Sequence, residues 1–224
     1  FLMASMRKMR MNIPLSFTLE FFSDIFLAAI AENQIQEGVI ELLAYRNRDD
    51  GFSAKTPVHF YFEIRQKDEV LKISEKYELD LMKEISVNTN VLSNIKVHSP
   101  ENIYEEIYAK ENDLDDVIFL NPNKKIARTI YGNLLLLEEN TIKIPKQTEG
   151  AYISPLMENF VTFVHKNNLA TIEEAELSAF ESQKAEEILV ISDEKGIFTV
   201  SKIRNKEFGN ERYKTMLEAW KTSF

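Results

Sequence analysis

Residues 91–137 contain the pattern that most restricts the fold, because extended and helical signals follow one another there over short distances. The segment opens as an extended stretch. Ser99 and Pro100 then begin a helix, since serine caps helices and proline suits their first position. Apolar runs predict strands at 117–120 and 130–137, joined by an Asn-Pro-Asn turn. The segment therefore predicts a core in which one helix connects an extended stretch to a pair of strands.

The remaining elements mix helices and strands without regular alternation. Apolar residues at helical spacing predict helices at 2–10, 18–33, 99–108, 157–169 and 213–220. Alternating or aliphatic runs predict strands at 39–46, 58–64, 77–81, 188–192 and 197–200, and a turn at 47–51. Because the order is not a repeated strand–helix–strand unit, the pattern predicts the α+β class rather than a parallel α/β sheet.

Two local patterns make more specific predictions. The helix that begins after Ser99 has one apolar side, which we expect to face the core. That side consists of Ile103, Tyr104, Ile107 and Tyr108. Residues 171–174, Thr-Ile-Glu-Glu, have the form of a capping box and predict the start of another helix.

Composition and charge exclude several functional classes. The 224 residues suffice for one large domain or two small ones, and a formal net charge of −9 disfavours nonspecific binding to nucleic acid or anionic membranes. No apolar run reaches the roughly 18 residues of a membrane span. The sequence has no cysteine, which excludes disulfides, thiolate zinc sites and cysteine nucleophiles. His59, His98 and His165 show no metal-ligand spacing, and these features are compatible with a cytoplasmic location.

Five short stretches carry, in their order, a resemblance to a known family. They are Leu2-Met-Ala-Ser5, the strand–turn–strand near 43–65, the stretch from Lys96 through Asp115-Asp116 to Asn133, Ala185-Glu-Glu-Ile-Leu189, and Gly196-Ile-Phe-Thr-Val200. Together they resemble the class IV aminotransferases. These are the fold type IV pyridoxal-phosphate (PLP) enzymes, which include branched-chain and D-amino-acid aminotransferases and aminodeoxychorismate lyase. The resemblance extends over most of the chain from residue 2 onward.

The resemblance implies a fold, a cofactor and an assembly. It implies a small N-terminal α/β sandwich domain at residues 1–90 and a larger C-terminal pseudo-barrel domain at residues 91–224. PLP would lie between the two domains, and two chains would form a homodimer. Because the family's phosphate-binding arginine would fall at or before Phe1, we expect a further segment to precede the given sequence.

The resemblance also assigns roles to individual residues. Lys96 corresponds to the catalytic lysine, whose primary amine holds PLP covalently. Arg128 stands where the family has a glutamate that faces the pyridine nitrogen, and a guanidinium cannot accept the proton of that nitrogen. Ser154, Leu156 and Asp193 correspond to positions that bind the phosphate of the cofactor.

The phosphate-binding positions depart from the family pattern. The family's Gly-Ile-Thr-Arg offers backbone N–H groups at a helix N-terminus, whereas residues 154–157 read Ser-Pro-Leu-Met. Pro155 has no N–H to donate, and Met157 replaces the arginine. Asp193 replaces a threonine and places a negative charge next to the phosphate dianion.

Two functions remain open at the level of the sequence. The first is a PLP-dependent transaminase or lyase that acts on an amino acid or on aminodeoxychorismate through Lys96. The second is a non-catalytic or repurposed homologue that keeps the fold and the dimer but has lost PLP binding. The family pattern and Lys96 favour the first function, whereas Arg128, Pro155 and Asp193 favour the second. The order of the five stretches disfavours a third reading, an interaction domain of unrelated descent.

Overall fold

The computed structural model describes residues 1–47, 53, 55–97 and 99–223. Most of the predicted turn at 47–51, and also His98, lie outside these described residues. The chain forms two compact units, Phe1–Val70 and Leu71–Phe224. None of the described helices is both long enough and apolar enough to cross a membrane.

The first unit contains two helices and a hairpin. Its elements are α1 (Leu2–Lys8), α2 (Leu19–Asn33), β1 (Gly38–Arg46) and β2 (Val58–Gln66), and the two strands pair antiparallel. Thr18 caps α2, because its side chain accepts the Phe21 N–H at 3.2 Å. Phenylalanine rings of α2 and β2 pack edge to face, with the centroids of Phe22 and Phe60 5.2 Å apart. The predicted helices and strands of this part of the chain are thus confirmed.

The second unit is built on one curled sheet, to which nine strands of the described residues contribute. The strands are β3 (Ile73–Ser86), β4 (Asp116–Leu120), β5 (Ile126–Thr129), β6 (Asn133–Glu138), β7 (Thr141–Pro145), β8 (Thr171–Ala175), β9 (Glu187–Ser192), β10 (Gly196–Ile203) and β11 (Lys206–Glu207). Their order is β5-β4-β3-β10-β9-β6-β7-β8, with β11 paired to β10. This half-barrel and the separate two-stranded sheet confirm the predicted α+β class.

Helices cover the curled sheet. They are α3 (Pro100–Glu111), α4 (Pro155–Lys166), α5 (Ala179–Ser182) and α6 (Glu211–Lys221). Leu135, on β6, belongs to the same buried cluster as α4 and α6, and its neighbour Leu134 belongs to a second cluster. Because successive side chains of a strand point to opposite faces, β6 is buried on both sides. This explains its continuous run of leucines.

The compact units divide the chain earlier than the predicted domain boundary. The sequence analysis places that boundary after residue 90, whereas the compact units meet after Val70. The two divisions differ because β3 pairs with both β4 and β10 and is therefore part of the large sheet. The family-type domains at 1–90 and 91–224 stay a prediction.

The extended stretch predicted before α3 is wrong. Residues 91–94 form turns, in which the Ser93 N–H donates to the Asn90 carbonyl at 3.1 Å and the Ile95 N–H to the Leu92 carbonyl at 3.0 Å. Ser93 Oγ also accepts the Asn90 N–H at 2.7 Å, a local bond that favours a turn over a strand. Lys96 therefore follows a turn and does not end a strand.

Two further elements of the second unit differ from the prediction. The predicted strand at 130–137 begins only at Asn133, because the chain reverses between β5 and β6, where the Thr129 N–H donates to the Gly132 carbonyl at 2.8 Å. The predicted helix start at 171–174 is wrong, because these residues form β8 and pair in parallel with β7. A capping box occurs instead at α5, between Ser178 and Glu181. Pairing with the edge of β7 therefore determines the structure of residues 171–174, in place of the local helix signal.

Three of the four apolar residues of α3 that were predicted to face the core point outward, whereas the fourth, Tyr108, packs against the core as predicted. The helix begins where expected, with Ser99 Oγ accepting the Asn102 N–H at 3.3 Å. Its inward side carries Glu105 and Ala109, both of which are buried. The outward residues are Ile103, Tyr104 and Ile107, whose exposed fractions are 43%, 45% and 51%. The helix therefore places a carboxyl group in the interior and an apolar face on the surface.

Candidate active site

The side chain of Arg128, on β5, points into the protein and is 6% exposed. Its guanidinium carbon lies 4.4 Å from the ring centre of Phe119 and 4.2 Å from that of Tyr152. Nη1 donates to the Thr129 carbonyl at 3.2 Å, and Nη2 donates to Asn102 Oδ1 at 3.3 Å. The two rings and the two acceptors stabilise the buried charge and fix the orientation of the guanidinium.

A cavity of about 150 Å³ lies beside this guanidinium. Its walls come from the end of β3, the loop that follows, the start of α3, and the side chains of Arg128 and Tyr152. The polar wall residues include Ser86, Asn88, Ser99 and Glu101. Lys96 does not line this cavity. The cavity therefore combines one buried cation and one carboxylate with several neutral hydrogen-bonding groups.

Glu105, on α3, carries a buried carboxyl group in the same region. It is 0% exposed, and neither of its carboxyl oxygens has a hydrogen-bond partner among the described residues. Burial raises the pKa of Glu105 to about 9, an effect that the charge of Arg128 opposes and the charge of Asp116 reinforces. Glu105 is therefore protonated and uncharged at neutral pH.

Asp116, on β4, fixes the chain reversal that follows Arg128. Its carboxylate accepts the Val117 N–H at 2.7 Å, the Ile130 N–H at 2.9 Å and the Tyr77 hydroxyl at 3.1 Å. Burial raises the pKa of Asp116 to about 6, although these hydrogen bonds act in the opposite direction. The contacts give Asp116 a positioning role for the turn between β5 and β6.

Asn133, the first residue of β6, positions Tyr152 against Arg128. The Asn133 side chain donates from Nδ2 to the Tyr152 carbonyl at 2.8 Å and accepts the Tyr152 N–H on Oδ1 at 2.8 Å. The Tyr152 hydroxyl also accepts a hydrogen bond from Asn102 at 3.1 Å. Two backbone contacts and one side-chain contact therefore hold the aromatic wall of the cavity in place.

The first turn of α4 has its backbone donors satisfied within the chain. The proline at its first position has no N–H. The Leu156 N–H donates to Asp193 Oδ1 at 2.8 Å, and the Met157 N–H donates to Ser154 Oγ at 3.1 Å. The Glu158 N–H donates to the Ser154 carbonyl at 3.0 Å. A helix N-terminus attracts anions, and here the protein's own carboxylate occupies that place.

The turn between β9 and β10, which carries Asp193, also binds Lys96. Lys96 Nζ lies 2.5 Å from Glu194 Oε2, and the two side chains are 37% and 39% exposed. Burial alone would raise the pKa of Glu194, but the hydrogen bond and charge of Lys96, together with the charge of Lys195, lower it. The amine of Lys96 is therefore held in an ion pair at this turn.

Comparison with known proteins assigns the chain to a family. The family model described as amino-transferase class IV matches residues 2–203, which is most of the chain. The protein belongs to this family. The class IV aminotransferases depend on PLP in general and act on small-molecule amino acid substrates. A sequence comparison with curated proteins gave no match.

Solved structures of this family share the fold at low sequence identity. A proposed 4-amino-4-deoxychorismate lyase from Legionella pneumophila has a TM-score of 0.88 and 17% identity, with 100% of this chain and 83% of that chain covered. The branched-chain amino acid aminotransferase of Thermobaculum terrenum, in its PLP form, has a TM-score of 0.86 and 17% identity, with 99% and 75% covered. The Escherichia coli branched-chain enzyme has a TM-score of 0.81 and 14% identity, with 100% and 77% covered. These likenesses establish the fold.

At the first turn of α4, where the resemblance predicts the phosphate of PLP, the residues present do not fit a phosphate group. A phosphate dianion would have to displace Asp193 from the Leu156 N–H and would then remain close to its carboxylate. The adjacent proline supplies no donor, and the Met157 N–H already has an acceptor in Ser154. Arg128, which would face the pyridine nitrogen, offers only donors and cannot take up a proton there.

The predicted site residues fall into two groups in the structure. Lys96, Leu156 and Asp193 meet at the β9–β10 turn, and Ser154 caps the helix that begins there. Arg128 lies in the cavity instead. The structure therefore brings four of the five residues to one turn and one to the cavity. Their roles toward PLP stay predictions.

Four residues of the β9–β10 turn and the cavity were not predicted from the sequence. They are Asn102, Glu105, Tyr152 and Glu194. Of these, only Glu105 could have been recognised as buried from the sequence. It lies one helical turn before Ala109, and a small residue such as alanine indicates the side of a helix that packs closely. Tyr152 carried no such signal, since its position depends on Asn133, 19 residues away in sequence.

Proposed function

We propose that this member of the class IV aminotransferase family is a repurposed, non-catalytic homologue that does not depend on PLP. The observation that supports the proposal is the hydrogen bond from the Leu156 N–H to Asp193. This bond joins a protein carboxylate to the helix N-terminus that the resemblance predicts to be the phosphate site. A charge of the same sign as the phosphate therefore occupies its position.

The size of the effect follows from the interactions that are lost. Charge-assisted hydrogen bonds contribute roughly 1.5–3 kcal/mol each, and the proline removes one such donor. Repulsion between Asp193 and a phosphate at close range adds about 1–4 kcal/mol. Together these terms weaken PLP binding by about 2.5–7 kcal/mol, or roughly two to five orders of magnitude in affinity.

The first prediction concerns the purified protein. Protein prepared without added PLP should be colourless, and PLP added at micromolar concentration should be removed by dialysis. The absorbance spectrum before and after dialysis measures this directly. A protein that emerges from dialysis yellow, with one PLP per chain, would contradict the proposal.

The second candidate is the PLP-dependent transaminase or lyase, acting on an amino acid or on aminodeoxychorismate. The family's general dependence on PLP and the partly exposed primary amine of Lys96 favour it. Here Lys96 would hold the cofactor after leaving Glu194. Borohydride reduction with excess PLP, followed by peptide mass analysis, distinguishes the candidates: an enzyme gives a label on Lys96 that Lys96→Ala abolishes and the control Lys195→Ala retains.

The second prediction is a homodimer. The exposed apolar face of α3 supports it, because partner contact would remove Ile103, Tyr104 and Ile107 from water. Burying one such aliphatic side chain contributes about 1.5–3 kcal/mol. Ile107→Glu should therefore raise the dimer dissociation constant at least tenfold, while Lys166→Gln, the same change in charge at the exposed end of α4, should leave it nearly unchanged. Sedimentation that shows only monomer for the wild type at micromolar concentration would contradict this prediction.

A further inference from the structure

We propose that the cavity beside Arg128 binds a small monocarboxylate with a flat apolar body, whose carboxylate pairs with the Arg128 guanidinium. This inference deepens the proposed function, since it names a ligand class for a family member without PLP, and it rests on that function. Three features of the cavity support this ligand class: the charge of Arg128, the dimensions of the cavity and the position of Glu101.

Arg128 is a buried cation that makes no close ion pair with the described residues, and the charges of Asp116 and Glu101 act on it only at longer range. An arginine keeps its charge in proteins, and among the described residues no carboxylate lies within ion-pair distance of this guanidinium. Its contacts are two neutral oxygens and two rings, and Nε has no hydrogen-bond partner. Glu105, the buried acid of this region, is protonated. A buried charge left unpaired is strongly unfavourable, so an anion bound in the cavity beside the guanidinium gains binding energy.

The cavity fits a small, flat molecule. Its volume is about 150 Å³, and an apolar protein cavity of about that volume holds one benzene molecule. Tyr152 supplies an aromatic wall, while Val87 and Ile95 add apolar surface. Ser86 and Ser99 line the same space and can bond to a carboxylate oxygen. The dimensions and the wall chemistry together favour a carboxylate on a ring or a short branched chain.

Glu101 allows a second, independent test of the proposed binding. It also lines the cavity, on the first turn of α3, and it is only partly exposed. Its negative charge opposes a bound carboxylate, so removal of this charge should tighten binding. Removal of the charge of Arg128 should therefore weaken carboxylate binding, and removal of the charge of Glu101 should tighten it. A loss of overall stability would weaken binding in both variants.

The test uses benzoate as the probe and benzamide as its neutral counterpart. Binding is measured by calorimetry and by NMR shifts at constant ionic strength, on protein dialysed free of PLP. We expect benzoate to bind, benzamide to bind at least tenfold more weakly, and Arg128→Met to weaken benzoate at least tenfold. Arg204→Met, which removes a surface arginine paired with Asp80, should leave the affinity unchanged. Equal binding of benzoate and benzamide, or no effect of Arg128→Met, overturns the proposal.

Glu101→Gln provides the variant that does not disturb the buried arginine. It should tighten benzoate binding about threefold or more, and an unchanged or weaker affinity overturns the proposal even if Arg128→Met fails to fold. The proposed function is assessed separately by the retention of PLP in dialysis. A protein that keeps PLP but fails to bind benzoate contradicts both proposals, whereas a PLP-free protein that fails to bind benzoate contradicts only this one.

Discussion

The double variant Asp193→Thr, Pro155→Ile should bind PLP on the order of 100-fold more tightly than the wild type. Threonine removes the carboxylate that accepts the Leu156 N–H at 2.8 Å. Isoleucine restores a backbone donor at the first position of α4, where the proline has none. A 100-fold gain corresponds to about 2.7 kcal/mol, which is the lower end of the sum expected for one recovered donor and one removed repulsion, so the two changes restore at least part of the binding.

A control variant separates two effects of Asp193 on PLP binding: the repulsion by its charge, and the hydrogen bond by which it occupies the Leu156 N–H. Asp193→Asn keeps an oxygen that can accept the Leu156 N–H but removes the charge, so it should recover only the repulsive part. Equilibrium dialysis with PLP and with pyridoxal, which lacks the phosphate, gives the decisive comparison. The double variant should gain affinity for PLP and not for pyridoxal. An equal gain for both would show that the phosphate site lies elsewhere.

The order of elements was predictable because strands and helices leave different periodicities in the sequence. The runs at 188–192 and 197–200 became β9 and β10, and the Ser99–Pro100 signal began α3 as expected. Family likeness also selected Arg128 and Asn133, two residues that the structure places around Tyr152. These successes rest on local patterns and on spacing along the chain.

The failures lie where distant contacts override a local pattern. Residues 171–174 look like a helix start, but the free edge of β7 accepts them as a strand. The apolar side of α3 was predicted to face the core, but α3 contacts the sheet through Ala109, in a cluster with Val117 and Phe119. No periodicity records which side of a helix a particular sheet will accept. The hydrogen bond from Leu156 to Asp193 was equally hidden, since 37 residues separate the two partners.

The inward side of α3 leads to the prediction with the clearest pH dependence. Glu105→Gln should change the free energy of unfolding by about 1 kcal/mol or less at pH 5 and raise it by on the order of 5 kcal/mol at pH 9, relative to the wild type, because each pKa unit corresponds to about 1.4 kcal/mol. Burial raises the pKa of Glu105 from its ordinary 4.5 to about 9, so the folded state binds a proton that the unfolded state has released between these values. The stabilisation is complete below pH 4.5 and is lost as the pH rises to about 9. Glutamine is uncharged at every pH and therefore does not show this loss.

The neighbouring Glu106 supplies the matched control. It lies on the outward side of α3 and pairs with Lys110 at 2.8 Å, so Glu106→Gln should change the free energy of unfolding by less than about 0.5 kcal/mol. Urea denaturation from pH 5 to pH 9 measures all three proteins. Asp116, with a pKa raised to about 6, adds a slope of the same sign below that pH. This slope is common to wild type and variants, so the difference isolates Glu105. Parallel curves for the wild type and Glu105→Gln would mean that Glu105 ionises normally in the folded protein and provides a charge for Arg128.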